Sequence, residues 1–439
     1  MKVNPMNLAD ALNLQCMCRT LDPQRLRDQF DKAPGLRGFT STLATTHPHL
    51  FSQTAVFLDP EVHSTLAKSI AAIERVVALP AYQAAALANA KAIARDDLGP
   101  AGVFMGYDFH ISADGPRLIE INTNAGGAWL NAVLADAHRD CCASMQGLMD
   151  ASTNQPELEQ LFWDMFMQEW QNQRGTRTLR TVAVVDDAPL TQYLAPEFEL
   201  ARLLFERHGV KAIVCDARDL VWRDGALWHP DLPADLPIDL VYNRLTDFDL
   251  SEPAHSALHA ACAAGAAVVT PNPRAHALYA HKGNLIALGN DTLLTEWGVS
   301  AQDRALLKAA VPQTMAVTPD AADALWANRR KLFFKPVAGY GAKAAYRGDK
   351  LTRRVWEEIV AGGFIAQELV PPSERLVDVD GVPTRLKLDV RAYTYRGVVQ
   401  LLAARTYSGQ TTNMRSPGGG FCPVVVLPTL PPDIDNPAT

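Results

Sequence analysis

The sequence lacks the features that mark membrane, secreted and duplex-binding proteins. It has no long basic run and a formal net charge of −7, which argues against nucleic acid and anionic membrane surfaces as general partners. Its first twenty residues contain no uninterrupted apolar core of a signal peptide, and its most apolar window, around 260–270, is far too short to span a bilayer. We therefore expect a cytoplasmic protein.

The sequence also gives no indication of disulfides, and it contains neither of two familiar nucleotide-binding loops. The seven cysteines include no Cys-x-x-Cys, which favours reduced thiols, with metal binding by Cys16 and Cys18 or a strained Cys141–Cys142 pair as the alternatives. No Gly-x-x-x-x-Gly-Lys-Ser/Thr loop occurs. The strand-like run that begins at Thr181 is followed by Asp186-Asp187-Ala188-Pro189 rather than Gly-x-Gly-x-x-Gly, so a dinucleotide fingerprint is missing.

What is present indicates an α/β protein of two or three domains. The chain has 439 residues, of which 48% are hydrophobic, so it can bury a large core. Strand and helix patterns alternate from Thr181 onward, which predicts a parallel sheet with crossover helices. We expect five segments: a helical region 1–100, a strand hairpin with helices 101–175, a parallel α/β domain 176–290, a second α/β domain 291–427 and a loose tail 428–439.

The stretch RLIEINTNAGGA, residues 117–128, ends an apolar strand in polar residues and glycines. Glu120 and Asn122 share a face because side chains alternate along a strand. The Asp114-Gly115 turn predicts a hairpin that brings Asp108 opposite Glu120. Two carboxylates about 4 Å apart repel by about 4 kcal/mol at an effective dielectric near 20, which favours a hard cation between them. A plain strand end with an Asn/Gly turn is the alternative.

Three later stretches carry candidate phosphate and substrate groups. FFKPVAGYGAK places Lys335 before Gly339 and Gly341, which fits either a loop over phosphates or a hairpin that needs glycine for its turn. LDVRAY places Asp389 and Arg391 on one face, with Arg405 on the next strand. These residues form either a cross-strand charge pair on a solvated face or a site in which an arginine points toward a phosphate. SPGGGF predicts a loop that is mobile or wrapped around a ligand.

Together these motifs resemble the ATP-grasp superfamily in its circularly permuted form. The order, with Glu-x-Asn at 120–122 ahead of the lysine strand, is similar to that of glutathionylspermidine synthetase and related bacterial carboxylate–amine ligases. Tyr107-Asp108-Phe109, VYNRLTDFDL, VVTPNPRAHALYAHKGNL, IAQELV and TNMRSPGGGF resemble further motifs of that group. The resemblance spans about 103–425. Gly106 departs from it, because an arginine is expected there, and 1–100 match no segment of the group.

The resemblance implies an ATP-grasp fold with a Rossmann-like pre-ATP-grasp domain, and it implies ATP and Mg²⁺ as cofactors. It assigns magnesium to Asp108, Glu120 and Asn122. It assigns catalytic or acceptor-site roles to Arg391, Arg405 and Asn413. The implied nucleotide-binding residues are Lys282, Lys335, Gly339, Gly341, Gln367, Glu368, Leu369 and Val370.

The implied activity is an ADP-forming ligation of a carboxylate to an amine through an acyl phosphate, on an amino acid or small peptide. The partners would then be small molecules, with no nucleic acid or membrane and an undefined oligomeric state. A nucleotide-binding regulatory protein without ligase activity and an ATP-grasp kinase are the alternatives.

Overall fold

The computed structural model describes residues 7–138, 155–339 and 344–428, which form a mixed α/β fold with several sheets. The strands, in chain order, are β1 (Val56–Leu58), β2 (Met105–Ser112), β3 (Gly115–Asn122), β4 (Thr181–Asp186), β5 (Lys211–Asp216), β6 (Val221–Arg223), β7 (Ala226–Trp228), β8 (Leu240–Asn243), β9 (Val268–Thr270), β10 (Thr314–Ala316), β11 (Leu332–Pro336), β12 (Tyr346–Arg347), β13 (Phe364–Glu368), β14 (Ser373–Val379), β15 (Val382–Tyr395), β16 (Val398–Tyr407) and β17 (Gly420–Val426).

Helices connect and cover these strands. In chain order they are α1 (Leu8–Gln15), α2 (Pro23–Asp31), α3 (Phe39–Thr46), α4 (Pro60–Val77), α5 (Pro80–Leu87), α6 (Ala128–Asp136), α7 (Gln155–Arg174), α8 (Ala195–Arg207), α9 (Ser256–Ala263), α10 (Pro273–Ala275), α11 (Asn284–Leu288), α12 (Asp291–Glu296), α13 (Ala301–Ala310), α14 (Ala322–Asn328) and α15 (Arg353–Val360). A π-helical turn, His276–Ala280, follows α10.

The largest sheet is organised around one long strand, β15. Its strand order is β1-β17-β16-β15-β2-β3, and β14 also pairs with β15. β14 pairs with the first half of β15 and β2 with the second half, while β16 takes the opposite edge. The β1–β17 pair is parallel and the other pairs of this sheet are antiparallel. The hairpin at 105–122 therefore lies beside a strand that is almost 300 residues later in the chain.

Two four-stranded sheets accompany the large one. The first has the order β10-β13-β11-β12 with antiparallel pairing, and its strand β11 carries Lys335. The second has the order β5-β4-β8-β9 and is parallel throughout. α8 connects β4 to β5, and α9 precedes β9, as crossover connections between parallel strands require. The parallel sheet predicted within 176–290 is thus confirmed.

Side-chain alternation gives the large sheet one apolar face toward α4 and an opposite face that carries both polar groups and apolar residues such as Tyr393. Tyr107 and Phe109 of β2 and Val390 of β15 are buried in the same core as α4. That helix contributes apolar residues at the helical spacing of Leu66, Ile70, Ile73 and Val77. The intervening residues of β2 and β15, among them Asp108 and Arg391, consequently point to the opposite face. The candidate site lies on that face.

Several local predictions are confirmed. Pro80 begins α5 directly after α4, and β2 and β3 form the expected hairpin, with Asp108 opposite Glu120. Strand β14, which begins the β14–β15 hairpin, was not anticipated. Gly341, Cys141, Cys142 and the tail beyond residue 428 lie outside the described residues. The described cysteines are free thiols, and the described residues contain no group of three His, Cys, Asp or Glu that could hold a metal.

Within the described residues, no single helix is long and apolar enough to cross a bilayer. The pair α4 and α5 meets the length and composition criteria together but is bent by 77° between its halves.

A buried carboxylate, Glu169 of α7, connects three parts of the fold. It accepts hydrogen bonds from the backbone N–H groups of Ala101 and Gly102, both at 2.8 Å. It also accepts from the hydroxyls of Thr270 at 2.5 Å and Tyr395 at 2.9 Å. Burial raises the pKa of this carboxyl, and the four donors oppose that rise. Glu169 thereby holds the segment before β2 against β9 and the end of β15.

Replacing this carboxylate tests its contribution to stability. We expect Glu169→Ala to lower the free energy of unfolding by about 3 kcal/mol, because several buried donors lose their acceptor at once. Urea unfolding followed by circular dichroism measures the change. Glu159→Ala on the same helix is the matched control: Glu159 pairs with Arg207 at the surface, so its loss should cost less than about 1 kcal/mol. Equal losses in the two variants would contradict the assignment.

Candidate functional site

A cleft between the large sheet and the antiparallel sheet β10-β13-β11-β12 gathers most of the predicted site residues. The predicted residues that line it are Glu120, Asn122, Lys282, Lys335, Gly339, Gln367, Glu368, Leu369, Val370, Arg391 and Arg405. They come from segments spread over almost 290 positions of the chain. Asp108 lies beneath this lining, where only 2% of its surface is exposed.

Lys335 is a buried cation on the wall of the cleft that the antiparallel sheet forms. Its Nζ donates to the backbone carbonyl of Ile119 at 2.8 Å and to Gln367 Oε1 at 2.9 Å. Burial, aided by the charge of Lys282, lowers the pKa of Lys335 to about 8, although the carboxylates of Glu120 and Asp108 oppose the change. Lys335 has neutral oxygen acceptors and no direct carboxylate partner among the described residues. An anion entering the cleft would therefore compensate a charge that the protein leaves unpaired.

Lys282 anchors the loop that follows β11. Its backbone N–H donates to Val337 O at 2.9 Å, and its Nζ donates to Gly339 O at 2.9 Å. Gly339 has a φ of +133°, which a residue with a side chain rarely adopts. The lysine and the glycine thus lie together at the mouth of the cleft.

The strand end Gln367–Val370 joins the antiparallel sheet to the β2–β3 hairpin. Gln367 is buried and bonds Lys335, and the Glu368 carboxylate pairs with Arg117 of β3 at 2.9 Å. The N–H of Leu369 is used by Lys331 O at 2.8 Å. The carbonyl of Val370 accepts a hydrogen bond from His110 Nδ1 at 2.8 Å. This connecting segment, residues 367–370, is called the hinge below.

The opposite wall contains one buried arginine, Arg391, and one partly buried arginine, Arg405, which share one carboxylate. Arg391 binds Asp108 with two hydrogen bonds, from Nε at 2.6 Å and from Nη2 at 2.7 Å. Arg405 Nη2 donates to the same carboxylate at 2.8 Å. Burial alone would raise the pKa of Asp108, but the two guanidinium groups outweigh it and hold that pKa well below its usual range. Register explains the contact, because Arg391 pairs directly with Asp108 across β15 and β2.

A second carboxylate, Asp389, extends this network toward the loop after β16. Arg405 Nε donates to Asp389 Oδ1 at 2.9 Å, and the Thr412 hydroxyl donates to Oδ2 of the same group. The interpretation of Asp389 and Arg405 as a solvated charge pair is therefore wrong, since their side chains are only 4% and 15% exposed. Buried pairs of this kind hold side chains in place even where they add little net stability.

The three residues assigned to magnesium lie together in the cleft. Asn122 Nδ2 lies 3.2 Å from both Asp108 Oδ2 and Glu120 Oε1, so the two carboxylates face one common position. Turning the Asn122 amide would present a third oxygen there. Oxygen donors suit Mg²⁺, which also takes ligands from phosphate and water. Glu120 and Asn122 therefore fit the ion, whereas Asp108 Oδ2 already accepts hydrogen bonds from Asn122, Arg391 and Arg405.

Gly106 marks the position where the resemblance predicts an arginine. A Cβ built there would lie 2.5 Å from Ala125 Cβ and 3.4 Å from Arg391 Nε. A side chain at 106 would therefore collide with the turn after β3 and approach Arg391. In this chain the cationic groups beside Asp108 come from β15 and β16 instead.

Asn413 does not line the cleft as its predicted role requires. Its Nδ2 donates to the carbonyls of Ser408 and Thr411, and its Oδ1 accepts from the N–H of Arg415 and the hydroxyl of Ser416. The side chain folds back onto its own loop because four local polar groups satisfy it. The residues of this region that line the cleft are Lys387, Tyr407, Gln410, Thr411 and Thr412.

His110 is the clearest cleft residue that the sequence analysis missed. It lies two positions after Asp108 and therefore on the same strand face, so alternation alone could have found it. Its pairing with the hinge carbonyl could not be found in that way, because the hinge lies 260 residues away.

No protein-family model matches the chain, and no curated protein matches it significantly. Solved structures do show a related fold. A glutathione synthetase-like effector from Globodera pallida aligns with a TM-score of 0.55 and 11% identity, over 92% of this chain and 98% of that one. At this identity the similarity concerns the fold.

Two other solved structures align more loosely. A gamma-glutamylcysteine synthetase-like protein from Methylobacillus flagellatus has a TM-score of 0.45 and 11% identity, over 82% of this chain and 85% of its own. The ATP-grasp ligase PsnB, bound to a precursor variant, Mg and ADP, has a TM-score of 0.29 and 16% identity, over 56% and 88%. Scores this low carry no argument about this chain, and the permuted order and the glutathionylspermidine synthetase resemblance stay predictions.

The shared carboxylate gives a direct test of the arginine network. We expect Asp108→Asn to lower the free energy of unfolding by about 3–5 kcal/mol, because two buried guanidinium groups lose charge compensation. Chemical denaturation measures the loss. Asp378→Asn is the control, since Asp378 pairs with Arg19 on the surface and should cost less than about 1 kcal/mol. A D108N variant as stable as the control would show that Asp108 does not hold the arginines.

Proposed function

We propose that the protein is an ATP- and magnesium-dependent ligase that joins a carboxylate to an amine. One observation carries the proposal: the cleft brings buried or partly buried cations from two sheets to face a carboxylate–amide cluster. Phosphoryl transfer depends on positioning and charge neutralisation, for which such a set is suited. The fold similarity to a glutathione synthetase-like effector is consistent with it.

In this proposal ATP lies along the antiparallel sheet. The base contacts the hinge, Gln367–Val370, whose strand ends at the cleft. The triphosphate then runs toward Lys335 and Lys282, with Gly339 close to Lys282 Nζ. The unpaired charge of Lys335 favours this placement, because a bound phosphate would supply the missing counterion.

Glu120 and Asn122, with Asp108 Oδ2 beside them, would hold Mg²⁺ in this site. When bound, the ion supplies charge neutralisation of the phosphate oxygens. Asp108 and Asp389 hold Arg391 and Arg405 at the same end of the cleft. These ion pairs fix the orientation of both guanidinium groups before a ligand binds.

The reaction we propose has two steps. A substrate carboxylate oxygen attacks the γ-phosphorus of ATP, the bond to the bridging oxygen breaks, and ADP leaves with that electron pair. The amine of the second substrate then attacks the carbonyl carbon of the acyl phosphate, loses a proton and expels phosphate. Arg391 and Arg405 stabilise charge on the transferred phosphoryl group. Small-molecule substrates and a cytoplasmic location belong to the same proposal.

Nucleotide binding can be tested apart from turnover. We expect ATP with Mg²⁺ to raise the unfolding temperature, because a ligand that binds only the folded state stabilises it. Lys335→Met should remove most of that rise, since the buried phosphate partner is lost. Lys331→Met is the matched control, because Lys331 precedes the same strand and is exposed. Differential scanning fluorimetry measures the shifts. A shift that persists unchanged in EDTA would contradict the metal dependence.

Turnover distinguishes a ligase from the alternatives. We expect ADP and phosphate, without AMP, when a panel of amino acids, small peptides and polyamines is offered in pairs. A carboxylate labelled with ¹⁸O should pass one labelled oxygen to the released phosphate, as seen by ³¹P NMR. Stoichiometric AMP would exclude this mechanism, a stable phosphorylated product would indicate a kinase, and binding without turnover across the panel would favour a regulatory protein.

A further inference from the structure

The imidazole of His110 has a defined tautomer because of its hinge contact. Its Nδ1 lies 2.8 Å from the carbonyl oxygen of Val370. A carbonyl oxygen only accepts hydrogen bonds, so Nδ1 carries the proton of this contact. In the neutral ring the other nitrogen, Nε2, then has a lone pair and acts as an acceptor.

The acceptor nitrogen is free to meet a ligand. Within the described part of the chain, no residue forms a hydrogen bond with His110 Nε2, and the ring lines the cleft beside the hinge. Nε2 is not one of the buried side-chain atoms that lack a hydrogen-bond partner, so this unpartnered nitrogen is accessible from the cleft. It is thus placed at the end of the cleft where the proposed function puts the nucleotide base.

We propose that His110 determines base specificity by accepting a hydrogen bond from the exocyclic amine of adenine. This inference rests on the proposed function, because it requires a nucleotide at the hinge. Guanine presents a carbonyl oxygen at the same ring position, and two lone pairs would then face each other. A polar site of this kind discriminates mainly through the pairing that the wrong ligand leaves unmade.

The test compares three nucleotides that differ at that position. Isothermal titration calorimetry with ATP, GTP and purine riboside triphosphate, which lacks the 6-amine, gives the affinity ratios. For the wild-type protein we expect about three- to tenfold weaker binding of each analogue, the value of one hydrogen bond. His110→Asn keeps a donor near Val370 O and removes the acceptor at the Nε2 position, so its ratios should approach one.

A second histidine provides a matched control. His259 on α9 contacts a backbone carbonyl in the same way, with Nδ1 3.0 Å from Leu250 O, but it lies outside the cleft. His259→Asn should keep the wild-type ratios, and His110→Gln, which retains an acceptor, should keep part of them. Wild-type ratios near one, or unchanged ratios in H110N, would overturn the inference while leaving nucleotide binding intact. If none of the three nucleotides bound, the proposed function would be overturned and the inference with it.

Discussion

Charge compensation of a buried and a partly buried arginine by one buried carboxylate is the constraint on which the candidate site depends. Asp108 lies on β2, between β15 and β3 of the large sheet, and both of its oxygens accept hydrogen bonds from Arg391 or Arg405. Removing the carboxylate would leave two cations in a poorly solvated environment. Asp389 and Thr412 extend the network to the loop after β16. The order of this wall of the cleft therefore depends on electrostatics within the protein.

The long strand β15 makes that arrangement possible. It pairs with β2 along its second half and with β16 along the opposite edge. Residues of these three neighbouring strands therefore lie side by side. The apolar faces of the same strands pack against α4, which fixes the direction of the polar faces. A shift of one residue in the β2–β15 register would turn Asp108 into the apolar core, so hydrophobic packing and site geometry select the same register.

The other wall of the cleft is charged but incompletely compensated. Lys335 is held by two neutral oxygens and has a lowered pKa, whereas each arginine has at least one carboxylate partner. The two walls meet through contacts between the β2–β3 hairpin and the hinge, including Arg117 with Glu368 and His110 with Val370. A polyanionic ligand between the walls would match the remaining positive charge, which is the physical basis for proposing a nucleotide there.

The local chemistry of the site could be predicted from the sequence. Alternation placed Glu120 and Asn122 on one face, and the Asp114-Gly115 turn brought Asp108 opposite Glu120, because both features depend on residues only a few positions apart. The contacts of these groups, in contrast, depend on tertiary packing. The pairing of β2 with β15 places Asp108 where two arginines bind it. The contact with the hinge orients the ring of His110, and local hydrogen bonds direct the Asn413 side chain toward its own loop. These outcomes depend on strand order and packing between distant segments, which local periodicity does not encode.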